Sequence, residues 1–207
     1  MTVRDPRRLL QGLFLALSSY FVLWACAPAA SLRPPVPFAE GQSNEVGLGA
    51  SYTQGLSEVP QGELSPPPSG FSGMLWYGHQ FSERFDLGVT IFGGQTSLVG
   101  GGLDLRYYLV RQPRLRVGIG LEGGWLWGAV NVPIGFALSE KIWMYVSPSV
   151  GMRYSDLIRV PVGVSVPIGK HFVLVPEVGV GWGSSEISVS PLKYFKLYGA
   201  VAGTARF

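Results

Sequence analysis

Two histidines, one cysteine and ten charged residues at alternate positions are the groups in this 207-residue chain that could carry chemistry. His79 and His171 could serve as general bases if a carboxylate or hydroxyl stood within hydrogen-bond reach. Both lie beside polar turn-forming runs, Ser82-Glu83-Arg84 and Gly169-Lys170-His171. There is no zinc-ligand spacing, phosphate loop or nucleophile elbow. Gly100-Gly101-Gly102 and Gly118-x-Gly120 read as glycines of crowded strands. No catalytic, cofactor-binding or metal-binding residue is assigned, and an enzyme is not expected. The ten charges are Glu45, Asp86, Asp104, Arg106, Arg116, Glu122, Arg159, Glu177, Lys196 and Arg206. Each falls on the small-residue side of a period-two pattern, and both signs are present. Such a set can pair as a structural lock or line a charged constriction.

The elements that must position these charges are strands. From Ile158 to Ile168 every even position is Ile or Val, and every odd one is Arg159, Pro161, Gly163, Ser165 or Pro167. A strict period of two gives a strand with two unlike faces. After Gly169-Lys170-His171 the alternation resumes at Phe172, so Leu157 to Gly183 is a β-hairpin. Its arms match the roughly 9–11 residues that a tilted strand needs to cross a bilayer.

The unit recurs. Val46, Leu48, Ala50 and Tyr52 share a face. So do Phe85, Leu87, Val89 and Ile91, then Leu103, Leu105, Tyr107 and Leu109. Leu115, Val117, Ile119 and Leu121 follow, then Val130, Val132, Ile134 and Phe136, and Ile142, Met144, Val146 and Val150. The last run carries Phe195, Leu197 and Val201 on the face that includes Phe207. Residues 70–81 alternate poorly, with Met74, Leu75, Trp76 and Tyr77 consecutive, so their register stays open. Ten strands result, with eight as the alternative. Pro133, Pro148, Pro161, Pro167 and Pro176 fall inside strands, where each removes a ladder donor. β-Bulges or irregular pairing are expected there.

Composition favours lipid over water on the apolar face. Only 14% of residues are charged, against about 25–35% for a soluble surface. An apolar face turned inward would leave a surface of Gly, Ala, Ser and Pro, with strand edges free to aggregate. Turned outward, it meets hydrocarbon, and closure of the sheet satisfies every backbone group. The expectation is an all-β, closed, antiparallel, transmembrane up-and-down barrel over 44–207. A soluble β-sandwich lipoprotein is the rival. Phe81, Phe85, Trp143 and Phe172 at one end, and Trp125, Trp127, Tyr154 and Trp182 at the other, are expected to form interfacial girdles.

Residues 1–30 read as an export signal. Arg4, Arg7 and Arg8 precede an apolar run from Leu9 to Trp24. Leu23-Trp24-Ala25-Cys26 resembles the lipobox of bacterial lipoproteins, with Trp24 in place of a small or aliphatic residue. That resemblance implies lipidation at Cys26. Ala27-Pro28-Ala29 offers an ordinary A-x-A cleavage site instead, and both readings stay open. The proline-rich stretch 31–43 reads as a periplasmic tether.

The final strand, ending in Phe207 after Val201, Gly203 and Ala205, resembles the terminal signal of Gram-negative outer-membrane barrels. Gly203 and Ala205 are smaller than that pattern's usual residues. The resemblance covers about residues 43–207 and implies an outer-membrane location, a periplasmic N-terminus and recognition of Phe207 by the barrel-assembly machinery. Small barrels of this kind include proteases, deacylases and palmitoyltransferases whose catalytic groups lie toward the outside. His79 and His171 are both placed at the opposite end. The expected role is structural or surface-binding, through the loop 54–69, with a plugged lumen. A narrow solute pore is the alternative, and a lipid-modifying enzyme or protease ranks after both. The expected partners are outer-membrane lipids and an extracellular ligand, with no nucleic acid, and the protein is expected to be a monomer without cofactors.

Overall fold

Bulky apolar side chains alternate with small or polar ones along most of the chain, and each such run is a strand. The computed structural model describes residues 30–56, 69–95, 99–124, 127–152, 157–185 and 192–207. Its segments are β1 (Asn44–Gly55), β2 (Gly70–Ser82), β3 (Phe85–Gly94), β4 (Gly100–Gln112), β5 (Leu115–Gly123) and β6 (Gly128–Asn131). They continue as β7 (Ile134–Ala137), β8 (Trp143–Val146), β9 (Ser149–Met152), β10 (Ile158–Ile168), β11 (Phe172–Ser185) and β12 (Leu192–Arg206). All pairings are antiparallel. β6 and β7 both lie along β5, and β8 and β9 both lie along β10, so each couple is one wall strand. The wall therefore has ten strands in up-and-down order. It closes where β1 meets β12, from Glu45↔Arg206 to Gly55↔Lys196. Closure leaves no edge, which is what a sheet in hydrocarbon requires.

One end carries the short turns at 83–84, 113–114, 138–142 and 169–171, together with the start of β1 and the end of β12. The other end carries the connections 56–69, 95–99, 124–127, 153–157 and 186–191. They are called the short-turn end and the long-loop end below.

The apolar face points outward. Leu48 is 67% exposed and Val178 60%, while the Glu177 next to Val178 is 2% exposed. In β10, Val162 is exposed and Val160 and Val164 are half-buried, with Arg159, Pro161, Gly163 and Ser165 buried between them. In β2 the open register resolves as Met74 and Trp76 inward, Leu75 and Tyr77 outward. The core of this molecule is thus the bore, filled by aromatic rings and charges.

The expected irregular pairing occurs at two of the prolines, without a bulge. At Val132-Pro133 and Ser147-Pro148 the ladder breaks, but the register is the same on both sides of each gap. Neighbouring backbone spans the gaps instead, Val132 N–H donating to Pro148 O at 2.9 Å and Gly118 N–H to Pro133 O at 2.9 Å. Pro161, Pro167 and Pro176 stay in register opposite Gly179, Val173 and Val201. The register shifts lie elsewhere, at Gln80/Ser82 and Tyr108/Val110, near the short-turn end.

Two further expectations are corrected. Trp127 and Trp143 do not belong to a girdle: both are buried in the bore, 8% and 7% exposed. A Cβ at Gly102 or Gly124 would meet the Trp127 ring, so these glycines leave the room it occupies. Phe81, Phe85 and Phe172 are exposed, and Trp182 stacks on the exposed Phe195. Trp125 and Tyr154 lie outside the described residues. The proline-rich stretch, in turn, does not hang free as a tether. Leu32 to Val36 are buried inside the barrel, and the chain leaves the bore only near Phe38. It then reverses at Gly41, whose φ of 77° suits a residue without Cβ, and enters β1.

Candidate functional site in the bore

All ten charges singled out from the sequence face the bore. Eight are buried: Glu45, Asp86, Arg106, Arg116, Arg159, Glu177, Lys196 and Arg206. Asp104 and Glu122 are half-buried and line one small cavity. Alternation put them there, since the apolar residues beside them on their strands face outward.

The residue that organises them was missed. Arg33, on the inserted arm 30–38, reaches three carboxylates from three different strands. Its Nε donates to Glu45 Oε1 at 2.8 Å, and its Nη1 to Asp104 Oδ2 at 3.0 Å. Its Nη2 lies 3.0 Å from Asp86 Oδ1 in an ionic contact. Arg106 braces the set. Its Nη2 is 2.7 Å from Asp104 Oδ2, and its Nη1 donates to the Arg33 carbonyl at 2.7 Å. Arg206 closes it from below, 3.4 Å from Glu45 Oε2, and donates to Pro37 O at 3.2 Å with its guanidinium over the Phe38 ring. A planar guanidinium with five donors suits this three-sided cage, where a point-charge ammonium would not.

A second contact holds the arm deeper in the bore. Glu177 accepts four hydrogen bonds. Ser31 N–H at 3.0 Å and Tyr198 Oη at 3.0 Å reach Oε1; Leu32 N–H at 3.1 Å and Tyr145 Oη at 2.5 Å reach Oε2. The tyrosine rings lie over Gly163 and Gly179, and a Cβ at either glycine would meet the ring. To present two successive N–H groups, the arm makes a three-residue turn, with Arg33 N–H donating to Ser31 O at 2.6 Å. Leu32 at its centre has φ 45°, a strained conformation for a leucine. Strain of about 1–3 kcal/mol persists only where the surroundings over-determine it, and the four-donor carboxylate does so.

The remaining sites are simpler. Arg116 donates to Glu83 O at 2.9 Å and lies 4.2 Å from the Tyr108 ring centre. Arg159 lies near the Tyr198 ring. Phe207 is exposed at the short-turn end, and its N–H donates to Asn44 O at 3.0 Å. His79 Nδ1 contacts Asn44 Oδ1 at 2.8 Å, and His171 Nδ1 contacts Arg206 O at 3.1 Å. Both imidazoles therefore sit at the short-turn end, engaged with groups that hold the barrel seam. No cluster of metal-ligating side chains occurs among the described residues. Cys26 and most of the loop 54–69 lie outside those residues.

No Arg33 signal was available from periodicity, because the arm forms no strand. Nor did the ten charges show a missing cation, since five are acids and five are bases.

No protein-family model matches the chain, and no curated protein sequence matches it. Solved structures do. The toluene transporter TodX of Pseudomonas putida is 9% identical, with 77% of this chain and 54% of that one aligned at a TM-score of 0.43. The KdgM porin is 10% identical over 78% of this chain and 99% of that one, at 0.43. Neisserial surface protein A is 14% identical over 81% and 100%, at 0.38. The chain spans about half the length of the toluene transporters. These neighbours are outer-membrane barrels, among them transporters, porins and attachment proteins, and the likeness concerns the fold alone. A closed ten-stranded wall, apolar outside and charged within, is the architecture of a membrane-spanning β-barrel, with no particular subfamily indicated.

Proposed function

We propose that this protein is an outer-membrane scaffold, closed at rest by its own residues 30–38. It presents its long-loop end, the 54–69 loop foremost, to the cell exterior as a structural or ligand-binding surface. The short-turn end, with the start of β1, faces the periplasm. The observation that carries this reading is the Arg33 cage. A cation bound by carboxylates of β1, β3 and β4 fixes the arm across the bore. The cavity left beside it measures about 20 Å³, room for a single water.

A narrow pore is the second reading, and one observation favours it. The arm is held by side chains and by Glu177, not by strand pairing. Its withdrawal would leave the ten-strand wall intact around a charged bore. Conductance in planar bilayers separates the two readings. Wild-type protein should be silent. Arg33→Met breaks the cage, taking from Asp86 its ion pair and leaving Asp104 to Arg106 and Glu45 to Arg206, a loss of about 3–5 kcal/mol for one buried partner. That is large enough to release the arm and hydrate the bore, so the variant should show discrete steps while keeping heat-modifiable migration. Steady conductance in the wild type would replace the closed scaffold with the pore. Silence in a folded Arg33→Met barrel would mean that the cage is not what closes it.

A further inference from the structure

With Arg33 seated, the described part of the bore carries one more positive side chain than negative. The wall supplies five bases and five acids, and the arm adds a sixth base. Arg159 and Lys196 match Glu122 and Glu177 in number. The excess falls on the remaining group, where Arg33, Arg106, Arg116 and Arg206 meet Glu45, Asp86 and Asp104. We propose that the short-turn mouth of the bore binds one small oxyanion, phosphate or sulfate, between Arg116 and Arg206. This rests on the reading that residues 30–38 close the bore, since Arg33 supplies the excess.

Two buried donors mark the place. Arg116 is 4% exposed and Arg206 6%. Arg116 spends its Nη2 on the Glu83 carbonyl and its face on the Tyr108 ring, both neutral partners. Its Nη1 is buried and meets no acceptor among the described residues. Arg206 Nη1 donates to Pro37 O, and its Nε faces Glu45 Oε2 at 3.4 Å, on a carboxylate that Arg33 also holds. Its Nη2 is buried and likewise without an acceptor. Among the described residues, the buried charged donors left in this state belong to these two arginines alone. A charged group buried without its hydrogen bond costs more than a neutral one.

The two guanidiniums can share one ligand. β5 and β12 stand five strands apart in the ten-strand wall, so Arg116 and Arg206 project from opposite sides. Arg116 is the second residue of β5 from the rim, and Arg206 is the last of β12. Each lies within the other's electrostatic reach. Between them the arm leaves the barrel, with Pro37 and Phe38 against Arg206. Two like charges at one mouth repel, and an anion between them turns that repulsion into two attractions. Donors on opposite sides call for an ion whose oxygens diverge. A tetrahedral oxyanion provides them, and a guanidinium edge suits it.

The rim outside has the charge to deliver such an ion. Arg84, Arg111, Arg114, Lys141 and Lys170 are exposed around the short turns, against Glu40, Glu83 and Glu140. A mouth lined by one sign of charge raises the local concentration of the opposite ion. The bound ion would brace the arm at its exit and so favour the closed barrel. A phospholipid headgroup carries the same phosphate chemistry, so the test separates it from a free ion.

The full-length protein, purified lipid-free in an uncharged detergent, is titrated calorimetrically with inorganic phosphate at an ionic strength held constant with sodium chloride. One phosphate should bind per barrel. Arg116→Gln, checked for heat-modifiable migration, should weaken that binding roughly tenfold or more. Phosphate should also raise the urea midpoint for loss of the heat-modifiable form in the wild type, and leave it unmoved in Arg116→Gln. The shift guards against a site created by detergent, and Arg84→Gln, altering only the exposed rim, should retain stoichiometric binding. Absence of binding to wild-type protein, or binding indifferent to Arg116→Gln, overturns the proposal. If phosphate does not bind but one phosphatidylglycerol copurifies per barrel, and is lost in Arg116→Gln, the free ion is overturned in favour of a headgroup. The closed bore is read separately, by conductance of the same wild-type preparation: a silent barrel that binds no phosphate keeps the closed reading and removes the anion site.

Discussion

Arg33 and Glu177 show how one side chain each converts a proline-rich stretch into part of the core. A buried guanidinium pays a desolvation penalty of several kcal/mol, which three carboxylates offset only because the geometry is close. Glu177 works in the opposite sense, as an anion gripped by two backbone N–H groups and two phenols. Hydrogen bonds to a charged group contribute about 1.5–3 kcal/mol each. Tyr145→Phe should therefore lower stability by that amount, read as a reduced guanidinium midpoint for loss of the heat-modifiable form. An unchanged midpoint would show that Glu177 draws little from Tyr145. Neither role was visible from residue type alone. Glu177 was legible as an inward charge by its alternation with Leu174, Val178 and Val180, whereas Arg33 had no pattern to place it.

At the level of elements, the wall strands behave as two-faced ribbons with predictable sides. Depth then matters. Val178 lies midway along β11 and Ile168 at the end of β10, and both are exposed on the outer face. A lysine on the lipid face costs about 2–4 kcal/mol at the midplane and about 0–1 near the interface. Val178→Lys should thus impair folding into lipid vesicles strongly and Ile168→Lys only weakly. Equal effects would remove the assignment of that face to hydrocarbon. The prolines make a second point at this scale. Pro133 and Pro148 each interrupt a wall strand without shifting its register, because a neighbouring strand's donor or acceptor fills the gap. The two register shifts arise at Gln80/Ser82 and Tyr108/Val110, where no proline stands.

For the whole molecule, the ten-strand count puts both ends of the wall at the same rim, where Asn44, Phe207, His79 and His171 share a seam of hydrogen bonds. All the short turns share that rim, and the long loops share the other. An epitope inserted within 57–68 should bind antibody on intact cells, and one inserted at 169–171 should bind only after the outer membrane is permeabilised. The reverse pattern would invert the orientation under "Proposed function" while leaving the fold untouched.

The amino-acid sequence by itself determined the strands, the two faces of all but β2, the parity of the wall and the inward set of ten charges. It could do so because a period of two is a local property, and because residue types distinguish a face that meets lipid from one that meets a narrow bore. What only the tertiary structure decided is the content of that bore. Whether Leu32, Arg33 and Val36 hang in water or lie among carboxylates depends on groups far away in sequence, brought together only when β1 closes on β12. Trp127 turned inward for a related reason: Gly102, which leaves room for its ring, lies on β4, and no local pattern reports an empty space.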